Sequence, residues 1–154
     1  MLRNKKLDFL RSYIHLKKVE IDSKREQVFS LKSAVEEIEE SVEKLRISIT
    51  DGETELRKSM VALRPLDLAT RQLRVLALEK CRNELDIETN RHESVSSELE
   101  ACMGELLEKC KYSDCLKDFE EELKAKLVSE HNKAIERDVE ELFQARRGST
   151  YDIF

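Results

Sequence analysis

The sequence predicts an all-α protein: a long two-helix antiparallel coiled-coil hairpin whose C-terminal helix overhangs. Three observations carry this. The first is a seven-residue series, Leu7, Ile14, Ile21, Val28, Val35, Val42, Ile49, Leu56 and Leu63, in which every position is aliphatic. A strict seven-residue period marks a helix that packs along a partner helix. The second is composition: 40% charged, 5% aromatic, no tryptophan, three glycines and one proline in 154 residues. That balance fits long helices rather than a turn-rich globular core. The third is the place of Pro65, which divides the chain into two unequal amphipathic stretches.

The first helix is expected over residues 4–62. Its second series, three residues after the first, reads Leu10, Lys17, Lys24, Leu31, Ile38, Leu45, Gly52 and Ser59. Gly52 is the weak spot, because glycine costs about 1 kcal/mol inside a helix. Thr50-Asp51-Gly52-Glu53 could break the helix, yet Ile49, Leu56 and Leu63 keep phase across it. A local soft point is preferred to a break. Arg64, before Pro65, is biased away from helical geometry. Asp67 is a fitting N-cap for the next helix. Residues 63–67 therefore form the turn.

The second helix is expected over residues 68–147, stopped by Gly148-Ser149-Thr150. Its seam runs through Leu78, Leu85, His92, Leu99, Leu106 and Ser113, with Cys81, Val95, Cys102, Leu116 and Leu123 three residues out of step. Beyond Leu116 the apolar spacing changes to Phe119, Leu123, Leu127, His131, Ile135, Val139 and Leu142, with steps of four that leave a left-handed seam. Gly104 reads as a packing accommodation, and His92 as a polar seam residue that helps fix register. Residues 1–147 make one domain, and 148–154 a flexible tail.

A short turn between two long amphipathic helices gives an antiparallel hairpin. The charges agree. Folding about residue 65 lays residues 3–32, rich in Arg3, Lys5, Lys6, Arg11, Lys17, Lys18, Lys24, Arg25 and Lys32, beside roughly residues 98–127. That second stretch carries Glu98, Glu100, Glu105, Glu108, Asp114, Asp118, Glu120, Glu121 and Glu122. A parallel homodimer, the alternative suggested by β-branched residues in the first seam, would stack the basic arm on its own copy and ranks lower. The free chain is expected to be a monomer. At 1.5 Å per residue, helices of about 59 and about 80 residues leave the stretch from Lys126 to Arg147 without an intramolecular partner. Its Leu127, Ile135, Val139, Leu142 and Phe143 point to a partner outside the fold.

The sequence also excludes functions. A net charge of -5 argues against a nucleic-acid binder. No apolar run approaches the ~20 residues of a membrane span, and the amphipathic start is unlike a secretory signal. The chain is expected to be cytoplasmic. Cys81, Cys102, Cys110 and Cys115 form no CxxC pair and read as reduced, half-buried thiols. There is no glycine-rich phosphate loop, nucleophile elbow or HExxH motif. The histidines are scattered, and a two-helix rod offers no concave, dry pocket. We expect no enzyme activity, catalytic residue, metal or cofactor.

The terminal run from Lys133 to Arg147 adds a resemblance. Glu136, Val139, Glu140, Glu141, Leu142, Phe143, Arg146 and Arg147 stand in an arrangement similar to the C-terminal signature of the FliJ/YscO family, the central-stalk proteins of type III secretion. The chain is more similar to the injectisome YscO-like branch than to the flagellar one. Its length, basic N-terminal arm, break near Pro65 and longer second helix match as well. It differs in being more acidic and in carrying the tail 148–154. The resemblance implies that the paired ends enter the pore of a hexameric secretion ATPase, while the hairpin tip faces an export gate protein and some members bind secretion chaperones. It implies ATPase-end contacts at Arg3, Lys5, Lys6, Arg11, Glu140, Glu141, Leu142, Phe143, Arg146 and Arg147. It implies tip contacts at Leu66, Leu68, Leu73 and Leu76, and a cytoplasmic position at the base of a bacterial secretion apparatus. The alternatives are a generic cytoplasmic coiled-coil scaffold or adaptor with no ATPase role, and a peripheral membrane binder acting through the basic arm.

Overall fold

In a computed structural model the chain forms two helices, α1 (Lys5–Val61) and α2 (Leu68–Ser149). The structure describes residues 5–61 and 68–149, and the side chains of the second stretch up to Arg147. The expected turn at 63–67, with Pro65 and Asp67, lies outside the described residues, as does most of the expected tail. α2 continues past the Arg147 expected as its end, through Gly148 to Ser149. No strand occurs among the described residues.

The helices pack against each other as an antiparallel hairpin, and the chain divides into two compact units. One joins Met1–Ile21 to Glu108–Phe154; the other is Asp22–Leu107. In the second unit the seven-residue series supplies the core. Val28, Ile38, Leu78 and Cys102 are buried, Ile38 most completely at 2% exposure. Val35, Val42, Ile49, Leu56, Leu85, Val95 and Leu99 are half-buried beside them. Cross-helix pairs fix the antiparallel register. Lys24 Nζ meets Glu105, His92 Nε2 lies 3.0 Å from Glu39 Oε1, and Arg82 donates to Glu53 Oε1 at 2.7 Å. These pairings agree with folding about residue 65, and His92 sits on the seam as expected.

Gly52 does not break α1. The Thr50 and Thr54 hydroxyls donate back to the carbonyls of Arg46 and Thr50, at 2.9 and 2.8 Å, within unbroken helix. A Cβ at Gly52 would stand 2.7 Å from Leu78 Cδ2. The missing side chain is thus what lets the Leu78 knob enter the seam. Gly104, expected to serve packing, does not: nothing lies within 4 Å of the place its Cβ would take.

In the first unit Leu10 and Ile21 of α1 and Ser113 of α2 are buried, with Leu7, Ile14 and Leu116 half-buried. The expected change of spacing after Leu116 does not occur where the sequence placed it. Phe119 is 54% exposed. The half-buried positions include Leu116, Glu120, Leu123 and Leu127, an unbroken three-four alternation, with Lys124 beside Glu120. Glu120 occupies an apolar seam position because Arg11 and Lys124 both reach its Oε1, at 2.9 and 2.6 Å. The two cations satisfy a carboxylate that would be costly to shelter alone. After Leu127 every described side chain is exposed, so the overhang begins there.

Candidate partner-binding surface

The first unit carries most of the residues expected to meet a partner. Lys5 and Lys6 are exposed at the start of α1. Arg11 is placed differently: its Nε donates to Glu120, so it is at least in part a hairpin contact. The hydrogen bond from Lys124, then that from Arg11, holds the Glu120 carboxyl below its ordinary value, outweighing the opposing effect of burial. Arg3 lies outside the described residues.

On the overhang Glu140, Glu141, Leu142, Phe143, Arg146 and Arg147 are all exposed. Helical spacing sorts them. Val139, Leu142, Phe143 and Arg146 line one shallow hollow, since residues three and four apart share a face. Glu140 and Glu141 lie off it. Leu142 and Phe143 are 67% and 69% exposed, the largest unshielded apolar side chains of this segment. Arg146 and Arg147 stand in the last turn of α2 and each has an interaction. Cations there are also favoured by the negative end of the helix dipole.

In the second unit Leu68, Leu73 and Leu76 are exposed near the start of α2. Leu66 is outside the described residues. Met60 and Val61, at the end of α1, are exposed as well and were not singled out by the sequence.

Comparison with protein-family models, with curated proteins and with solved structures gives no match.

Two features of the first unit escape a search for motifs. Phe9, Leu16 and Val19 form an exposed apolar stripe on the outer face of α1. The seven-residue step from Phe9 to Leu16 is legible in the sequence, but the stronger seam series hides it. The other feature is a polar cluster across the helices. Lys17 Nζ donates to both Glu20 carboxylate oxygens, at 3.1 and 3.0 Å, and stands 5.3 Å from the centre of the Tyr13 ring. Lys109 reaches Glu20 Oε2 at 3.5 Å. The bond from Lys17 pulls the Glu20 carboxyl down, and the same bond raises the Lys17 ammonium. Hydrogen bonding with Tyr13 pushes the Tyr112 phenol up. The cluster explains how Lys17 can occupy a seam position: its ammonium turns out to a carboxylate while its stem stays along the seam.

The thiols are free. Cys102 is buried and Cys115 exposed, with Cys81 and Cys110 between, so the expectation of half-buried thiols holds for two of the four. No group of three or more histidine, cysteine or acidic side chains that could hold a metal ion occurs among the described residues. No helix among them is long and apolar enough to cross a membrane.

Proposed function

We propose that this chain is a central-stalk protein of a bacterial type III secretion apparatus, as its terminal resemblance to the FliJ/YscO family implies. The observation that carries the reading is the overhang. A helix continues beyond its hairpin partner and holds Leu142, Phe143 and Arg146 on one exposed face. An apolar face outside the fold calls for a partner. In this reading the partner is a hexameric secretion ATPase, met in the cytoplasm at the base of the apparatus, with Lys5 and Lys6 adding cationic contacts. The exposed tip leucines Leu68, Leu73 and Leu76 would serve an export gate protein or a secretion chaperone. The chain itself performs no chemistry.

The test is to add the chain to its cognate ATPase. Stimulated ATP hydrolysis, or a shift of the ATPase to the hexamer, is expected, and truncation after Leu127 should abolish it. An ATPase indifferent to both chains would sink the proposal. A second reading, a coiled-coil adaptor with no ATPase role, is favoured by exposed aromatic side chains away from the overhang, Phe9 and Phe29. It predicts that substituting these, rather than truncating the overhang, removes binding.

A further inference from the structure

The overhang is more than an unshielded continuation of the hairpin seam. Carried forward from Leu127, the hairpin register falls on Glu130, Ala134, Arg137, Glu141 and Gln144. Those residues could not extend an apolar interface. A separate series begins one residue after Leu127: Val128, Asn132, Ile135, Val139 and Leu142. Its steps are four, three, four and three, the spacing of a coiled-coil seam. One residue turns a helix by roughly 100°, so the second seam faces away from the first. All five side chains are exposed. A frayed helix end has no reason to change register cleanly where its described contacts with the hairpin end.

We infer that this second seam pairs with its own copy: two chains associate in parallel through their overhangs. Three features favour a second copy over an unrelated helix. Asn132 occupies one core layer, where the amide of an identical residue supplies both the donor and the acceptor it needs. A single asparagine at such a layer specifies register and strand number. Val139, β-branched, falls in the same class of layer as Asn132, and Leu142 in the alternate class beside Val128 and Ile135; the Val139–Leu142 step is the one that favours two strands. The flanking positions also match. In parallel register the His131 imidazole of one copy, a hydrogen-bond donor, lies beside the Glu136 carboxylate of the other, an acceptor five residues on. The hairpin seam takes no part, so each chain keeps its internal fold. The pairing uses the face that the proposed stalk function assigns to the ATPase, but it does not depend on that function.

Sedimentation equilibrium of the full chain tests the inference. A reversible dimer is expected as the concentration rises to about 500 µM, and Leu142→Glu should weaken it at least about tenfold by placing a charge in the core. Circular dichroism of that variant should match the parent, because Leu142 touches nothing in the hairpin. Orientation is read from Asn132→Cys and Val139→Cys, each oxidised with glutathione disulfide beside the parent chain as control for the native thiols. Each variant should give a cross-linked dimer that the parent does not. A chain that stays monomeric throughout, a dimer indifferent to Leu142→Glu, or failure of either variant to cross-link would overturn the proposal.

Discussion

Gly52 and Gly104 are the same residue in the same kind of helix, and they do different things. Leu78 fills the space a side chain at Gly52 would occupy, while Gly104 faces nothing. Alanine at 104 should therefore raise stability by about 1 kcal/mol, the ordinary helix preference over glycine. Alanine at 52 gains the same preference but must displace Leu78 Cδ2 in a buried seam, so its gain should be smaller or reversed. Urea midpoints of the two variants check this, and equal gains would contradict the Leu78 contact. Glu120 makes a second residue-scale case. Its carboxyl is held low by Lys124 and Arg11. A folded-state value below the unfolded one contributes stability that is present at neutral pH and lost as the pH falls through the carboxylate range, beneath about 4.5. Glu20, lowered by Lys17, acts in the same direction. Glu120→Gln should lower stability at neutral pH and make the acid loss shallower. An unchanged acid profile would show that Glu120 is not a source of it.

At the scale of the element, the seam decides which helix face is core. Ile38 is the most buried described residue of α1. Ile38→Ala should cost about 2–4 kcal/mol, from lost transfer energy and the cavity left behind. Truncation after Leu127 removes helix but no seam contact, so the urea midpoint of the hairpin should stay where it is. A large fall would mean that the overhang packs on the hairpin. Much of this scale was legible in sequence. The aliphatic series of nine positions marks the face of α1 that packs on α2, and its members are buried or half-buried wherever they are described. The seam of α2 was legible as far as Leu116. Beyond it Leu123 and Leu127 were placed rightly, but Phe119 was misread, because it is the more apolar residue and Glu120 the better placed one. Hydrophobicity alone cannot show that a glutamate will be satisfied by a cation more than a hundred positions earlier in the chain.

At the scale of the whole molecule, each compact unit is built from both helices, one from the chain ends and one from the middle. The pairing is within one chain, so hairpin unfolding is unimolecular. Its midpoint should not move with protein concentration between about 1 and 50 µM, whereas pairing of α1 seams between chains would make it rise. Of the candidate partner surface, the sequence indicated the overhang and the tip leucines. It did not show that Arg11 bonds to Glu120.

Sequence alone determined the helical class and the antiparallel pairing of two long helices. Period, proline placement and charge complementarity are properties of order along the chain. The tertiary structure alone decided why Gly52 is tolerated, where the hairpin seam ends and which arginine is already engaged. Each of those depends on an atom from the other helix meeting a given side chain at a given distance, and one-dimensional spacing does not contain that distance.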